Sequence, residues 1–180
     1  MSETDDGLGF AAEHDTPVPY LSRTRDYYLA LGYDNPYRWA QYAEVPFAPL
    51  GKPLAEARLA LVTTAAPVEA GKGDQGPGAP YNAAAKFYRV YSADAGVEPV
   101  LGISHLGYDR AHTTAADANT YVPLAALRDA AAAGRIGALA PRFHGLPTNR
   151  SQQTTLERDA PELLARLRDD GADAALLVPT

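Results

Sequence analysis

A serine–histidine pair stands where the sequence predicts the end of a strand. Val100 to His105 forms a short apolar run that closes with Ser104 and His105. His105 can move protons near neutral pH or orient a substrate, and Asp109 can fix its tautomer. An alternative is that His105 and Asp109 only brace a turn. We predict that His105 is catalytic and that Ser104, Tyr108 and Asp109 support the site.

A loop after Pro141 supplies a second pair of candidates. Arg142 carries a planar guanidinium that can bind a carboxylate in a bidentate manner. His144, two residues later, is the second predicted catalytic histidine. The alternative is a surface loop in which Arg142 makes one structural ion pair.

Threonines follow two further predicted strands. Thr63 and Thr64 end the apolar run that starts at Arg58, and Thr180 comes just after the apolar run 174–178. The carboxyl ends of parallel strands meet at one edge of a sheet, where α/β proteins place their chemistry. We therefore expect one site at this edge. It is composed of Thr63, Thr64, Ser104, His105 and Thr180, with Arg142 and His144 approaching from a loop.

Three common chemistries lack their motifs. The spacing of His105, Asp109, His112 and His144 matches no compact metal motif, so no metal is predicted. A serine hydrolase needs a G-x-S-x-G elbow, which is missing, and adjacent strand residues point to opposite faces. The glycines and lysine of 71–73 do not follow the order of a phosphate-binding loop.

Composition restricts the partners. The chain has 180 residues, a net charge of -6 and no cysteine. An acidic protein lacks the basic footprint that nucleic acid or an anionic membrane requires. Without cysteine the chain has no disulfide or thiolate nucleophile of its own. The acidic N-terminus has no signal peptide and no apolar run is long enough to span a membrane, so we expect a cytoplasmic protein.

Alternating strand and helix patterns predict an α/β fold with a mostly parallel sheet flanked by helices. The predicted parallel strands are 58–63, 100–105 and 173–178. Helices are predicted from Tyr121 to Gly134 and from Leu156 to Gly171, each with glycine at its C-terminal end. The run 174–178 is continuously apolar, which is typical of a strand covered on both faces.

The N-terminal third differs from this pattern. Residues 1–16 are polar and predicted to be loose, and 17–57 form an extended arm rich in aromatic residues and proline, with a short helix from Arg23 to Leu31. The arm packs either on its own domain or on a partner subunit. Residues 58–180 are predicted to be the α/β domain, incomplete at its C-terminal end because no helix follows to cover the last strand.

Several motifs in order give the sequence a resemblance to a known family. They are Ser104-His105-Leu106-Gly107-Tyr108-Asp109, Tyr121-Val122-Pro123-Leu124, the segment 134–144, Ala160-Pro161-Glu162 and the segment 170–180. Together they resemble the selenoprotein B family of glycine, sarcosine, betaine and D-proline reductases over about residues 58–180.

The resemblance implies an enzyme component that performs reductive C–N cleavage of an amino acid or related amine. In this family a selenocysteine or cysteine follows the last strand, so it would come directly after Thr180. A second cysteine usually follows, and in the glycine and proline enzymes a pyruvoyl group on a partner subunit activates the amine. The resemblance therefore implies partner reductase subunits and a small amine or amino-acid substrate.

The sequence departs from the family at this position because it has neither selenocysteine nor cysteine. One explanation is an in-frame selenocysteine codon that was read as a stop, which we favour. The other is a natural half whose remainder is encoded separately or lost. Two functions stay open: a reductase component whose redox residue lies beyond Thr180, and a non-catalytic binding or scaffold subunit that docks onto a cysteine-bearing partner chain.

Overall fold

The computed structural model describes residues 19–33, 42–68, 85–104, 112, 115–148 and 151–180. The chain divides into two compact units, Met1–Val45 and Pro46–Thr180. In the described part of the first unit, helix α1 spans Tyr20–Ala30 and has no buried residue. Gly32 ends it with a φ of 84°, so the predicted short helix is present and begins three residues earlier than Arg23. Within the described ranges no helix is long and apolar enough to cross a membrane.

The second unit contains strands and helices in alternation. Its strands are β1 Arg58–Thr63, β2 Ala66–Pro67, β3 Tyr91–Asp94, β4 Leu101–Gly102, β5 Ala138–Leu139, β6 Arg142–Gly145 and β7 Ala174–Val178. Its helices are α2 Leu124–Ala132, α3 Gln152–Thr154 and α4 Ala160–Asp169, with a π-helical turn at Thr155–Asp159 between the last two and 3₁₀ turns at Leu54–Glu56 and Ala118–Thr120.

Strand β1 is the centre of the larger sheet. It pairs in parallel with β5, β6 and β7. Leu59 pairs with both β5 and β7, and Val62 pairs with both β6 and β7. Strands β5 and β6 therefore share one side of β1, and β7 occupies the other side. Strand β3 pairs with the far side of β6.

Two predictions about this sheet are wrong. The sheet is mixed and not mostly parallel, because β3 runs antiparallel to β6. The predicted parallel strand 100–105 shrinks to β4, which pairs antiparallel with β2 in a separate two-stranded sheet. Leu101 and Ile103 are nevertheless buried. An apolar run thus indicated burial correctly, but the direction of pairing depends on where the chain enters the sheet.

The two faces of β1 carry two apolar clusters, as the alternation of side chains along a strand requires. Leu61 packs with Phe143, Ile103 and Leu124 on the face that α2 covers. Val62 packs with Val90 and Leu163 on the face that α4 covers. Single-residue steps along β1 therefore change which helix a side chain meets.

Strand β7 is confirmed as a strand parallel to β1. The residue before it, Asp173, is held by a hydrogen bond and an ion pair. Asp173 accepts a hydrogen bond from the backbone N–H of Arg58 at 2.8 Å and pairs with Lys52 at 2.8 Å. The hydrogen bond from Lys52 lowers the pKa of Asp173. Within the described residues Leu177 of β7 is 62% exposed, so the face on which it lies is not covered there.

Gly145 stands directly opposite Tyr91 in the β3–β6 pair. A Cβ atom at residue 145 would overlap the Tyr91 ring. That ring packs edge-on against Phe87 and Phe143. The glycine therefore leaves the space that an aromatic side chain fills in the core.

We predict that Gly145→Ala destabilises the protein by about 1–3 kcal/mol, because Tyr91 must move out of a packed position. Gly51→Ala is the matched control, since nothing lies within 4 Å of a Cβ atom there. Urea unfolding of the two variants gives the comparison. Equal free energies of unfolding for both would contradict the packing assigned to Tyr91.

Candidate functional site

The carboxyl end of β1 is fixed first through Thr63, which is fully buried. Its hydroxyl donates to the backbone carbonyl of Tyr121 at 2.7 Å and accepts from the N–H of Ala65 at 3.1 Å. Its carbonyl accepts from the N–H of Leu146 at 2.9 Å. Thr63 thus joins the end of β1 to the segment before α2 and to the residue that follows β6.

Thr64 joins the same end of β1 to the end of β7. Its hydroxyl accepts from the backbone N–H of Thr180 at 2.7 Å and lies 3.0 Å from the Thr180 hydroxyl. Its own N–H donates to the carbonyl of Val178 at 3.3 Å. The predicted strand-end threonines Thr63, Thr64 and Thr180 therefore meet at one sheet edge.

Tyr91 closes the arrangement from β3. Its hydroxyl donates to the carbonyl of Ala65 at 2.7 Å. Burial raises the pKa of Tyr91, so the phenol remains a donor throughout the physiological range. Tyr91 was not among the predicted site residues, because a strand tyrosine carries no sequence signal that distinguishes a polar role from a core role.

His144 belongs to a second polar cluster, on the face that α4 covers. Arg166 donates to the Ser92 hydroxyl at 2.7 Å, Ser92 lies 2.8 Å from His144 Nδ1, and His144 Nε2 lies 3.0 Å from Asp170 Oδ2. Arg166 can only donate and the Asp170 carboxylate only accepts. A neutral imidazole with its proton on Nε2 satisfies every member of this chain.

Arg142 completes the second cluster. It donates to Asp170 at 2.7 Å and to Asp169 at 2.8 Å. The hydrogen bond to Asp170 raises the pKa of Arg142. The planar guanidinium of Arg142, which the sequence suggested for a substrate carboxylate, therefore binds the two carboxylates at the end of α4. This is the structural ion pair that was left open as the alternative.

The imidazole of His144 is wholly buried in this cluster. Burial lowers its pKa below the ordinary value, and this effect exceeds the opposing attraction of Asp170; the nearby Arg142 and Arg166 lower the pKa further. The structure shows His144 bracing β3, β6 and the end of α4. A catalytic role for His144 stays a prediction.

The candidate residues therefore fall into two groups and an undescribed part. The sequence predicted a loop for Arg142 and His144. This prediction is wrong, because both residues lie in strand β6. Val62 and His144 are paired in the parallel ladder and share a face, so Thr63 points to the other face. Ser104 is half-buried. His105, Tyr108 and Asp109 lie outside the described residues.

The described ranges contain no group of three His, Asp or Glu side chains arranged to hold a metal ion. The polar groups described at the sheet edge are hydroxyls and backbone amides, which can donate and accept hydrogen bonds. The chain has no cysteine and therefore no thiol of its own.

Comparison with known proteins decides the family. The model of the glycine/sarcosine/betaine reductase selenoprotein B family matches residues 31–180. The chain belongs to this family. It is also 35% identical over 133 residues to the D-proline reductase subunit gamma of Acetoanaerobium sticklandii, which covers 73% of this chain and 52% of the relative. The chain thus spans about half the length of that relative. No solved structure matches it.

The match confirms the resemblance drawn from the motifs and extends it. Residues 31–57, which showed no clear motif, lie inside the matched segment. Both polar clusters of the second unit lie inside it as well.

The lowered pKa of His144 predicts how stability depends on pH. The unfolded chain binds a proton on this histidine near its ordinary pKa of about 6.5, whereas the folded chain resists protonation. The unfolded state then holds more protons below about pH 6.5, so the free energy of unfolding falls as pH decreases, by at most about 1.4 kcal/mol per pH unit. Above about pH 7.5 this contribution is fully present and constant.

Urea unfolding of the wild type and His144→Gln between about pH 5 and about pH 7.5 tests this dependence. The variant should be less stable at neutral pH and should lose the slope that His144 contributes. His112→Gln, at an exposed histidine, is the matched control for the loss of one imidazole. An unchanged slope in His144→Gln would contradict the assignment of a neutral buried imidazole.

Proposed function

We propose that this chain is a component of a selenol- or thiol-dependent reductase that cleaves the C–N bond of an amino acid or a related small amine. The redox selenocysteine or cysteine directly follows Thr180 in the whole protein. Family membership supports this proposal. The observation that carries it is the position of Thr180, held by Thr64 at the carboxyl edge of two parallel strands.

The redox residue supplies the electrons for this reaction. The substrate takes up two electrons and two protons: its C–N bond breaks, a C–H bond forms and the amine is released, while the selenol or thiol and a second thiol become joined by a Se–S or S–S bond. An external dithiol reductant restores the pair.

The chain's own residues then have separate tasks. Thr63 and Thr64 hold the sheet edge at which Thr180 lies. His105 supplies or removes a proton, and Ser104, Tyr108 and Asp109 support it. The second cluster, around His144 and Arg142, holds β6 against α4 and keeps that edge in register. None of these tasks needs a metal ion.

Partner subunits complete the reductase in this proposal. A pyruvoyl group that activates the amine belongs to a partner. Among the polar groups described at the sheet edge of this chain, the carbonyl groups are those of the backbone. We further propose a cytoplasmic location, in keeping with a substrate that is a small amine or amino acid.

The alternative is a non-catalytic scaffold subunit that docks onto a cysteine-bearing partner chain. Strand β7 favours it, because β7 pairs with β1 alone among the described strands and exposes Leu177. Such an edge can accept a strand or helix from another chain. The two functions differ in whether the residue after Thr180 reacts.

Replacing the residue that follows Thr180 with serine distinguishes the two functions. The whole protein is reconstituted with its partner subunits, and turnover is measured as release of ammonia or amine from glycine, sarcosine and betaine and as formation of the ring-opened amino acid from D-proline. We expect turnover to fall on the order of 10³-fold or more, because a hydroxyl cannot replace the redox nucleophile. Thr148→Ser, at an exposed threonine, should keep full turnover. Unchanged turnover in the first variant would favour the scaffold.

His105→Ala tests the proton-transfer role in the same reconstituted protein. Turnover should fall about 10²- to 10⁴-fold, the range in which positioned acids and bases contribute. The thermal midpoint should change little, and His112→Ala, at an exposed histidine, should keep most of the turnover. Equal turnover in His105→Ala and wild type would remove His105 from the mechanism.

A further inference from the structure

We infer that Thr64 is a positioning residue whose hydroxyl fixes the backbone of Thr180 and so determines where the next residue points. This inference rests on the proposed function, in which the next residue is the redox residue. Its physical basis is the way in which the β1–β7 ladder ends.

The ladder between β1 and β7 ends at the last residue of β1. Its last register pair is Thr63 with Val178, and the N–H of Thr64 donates to the carbonyl of Val178. A regular parallel ladder would continue with a bond from the N–H of Thr180 to the carbonyl of Thr64. The N–H of Thr180 donates to the side chain of Thr64 instead.

The side chain of Thr64 replaces the missing ladder contact. Its oxygen accepts the Thr180 N–H at 2.7 Å, and it lies 3.0 Å from the Thr180 hydroxyl and 3.3 Å from the Thr180 carbonyl oxygen. The single hydroxyl proton of Thr64 is donated to one of the two Thr180 oxygens. Three atoms of Thr180 are therefore held around one oxygen, which fixes both the position and the rotation of the residue.

The residues on either side of Thr64 are themselves held by hydrogen bonds. Thr63 is bound to Tyr121 and Leu146, and the carbonyl of Ala65 accepts from Tyr91. Both neighbours of Thr64 are thus held by other elements of the fold. Precise placement of a reactive group requires this kind of supporting layer, because a small displacement lowers the reaction rate strongly.

Two substitutions separate the hydroxyl from the shape of the side chain. Thr64→Val keeps the branched shape and removes the hydroxyl, whereas Thr64→Ser keeps the hydroxyl. Thr148→Val is the control for the same chemical change at an exposed threonine. Each is made in the whole protein, in the reconstituted reductase.

The first measurement is hydrogen exchange at the Thr180 amide, which does not depend on activity. Thr64→Val should speed exchange about tenfold or more, since the amide loses its acceptor, and Thr64→Ser and Thr148→Val should exchange at the wild-type rate. Equal exchange rates in Thr64→Val and wild type would contradict the role assigned to the Thr64 hydroxyl in holding the Thr180 backbone.

The second measurement is turnover. Thr64→Val should lower kcat about 10- to 100-fold with little change in KM, because the redox residue is misplaced while the substrate site remains, and Thr64→Ser should restore most of it. Full turnover in Thr64→Val, with turnover lost when the residue after Thr180 becomes serine, would overturn this inference alone. Full turnover in both variants would overturn the proposed function.

Discussion

Hydrogen bonds at the carboxyl end of β1 hold the rest of the sheet in place. Three consecutive residues each bind a different part of the fold: Thr63 binds the segment before α2, Thr64 binds the end of β7, and Ala65 binds β3 through Tyr91. Each contact uses a buried or half-buried polar group, and such groups are costly to leave unpaired. The end of β1 is thereby locked against the elements that surround it.

A second constraint acts on the opposite face of the same strand. Asp170 accepts hydrogen bonds from His144 and Arg142 of β6. Ser92 of β3 links His144 to Arg166 of α4 through hydrogen bonds. Two of the ionisable groups that the sequence suggested for the site, Arg142 and His144, are in this cluster and are bound within the protein. Among the described residues, the edge at Thr64 and Thr180 is held by hydroxyls and backbone groups. The ionic cluster thus braces β3, β6 and α4, while the hydroxyls join the end of β7 to β1.

The sequence predicted the elements that carry a strong local signal. The apolar runs at 58–63 and 174–178 are strands, and Gly134 and Gly171 take the left-handed conformation, with φ of 67° and 66°. The meeting of Thr63, Thr64 and Thr180 followed from the parallel direction of those strands. The antiparallel pairings of β3 and β4 were not predictable, because their local sequences do not specify a partner strand. The strand position of Arg142 and His144 was also missed, since Pro141 suggested a loop.

The partners of His144 carried no sequence signal at all. Ser92 and Arg166 lie 52 and 22 residues away from it in the sequence, and only tertiary packing brings them together. Family membership, by contrast, depends on motifs that are local and ordered along the chain, so it was accessible from the sequence and was confirmed by the comparison.

The most direct test of the account is substrate-protected alkylation of the reconstituted reductase. The reduced protein is treated with labelled iodoacetate in the presence and absence of its amine substrate, and the labelled peptide is identified by mass spectrometry. We expect the label to fall on the residue directly after Thr180 and the substrate to prevent the labelling. A substrate-protected label on a partner subunit, with none on this chain, would contradict it.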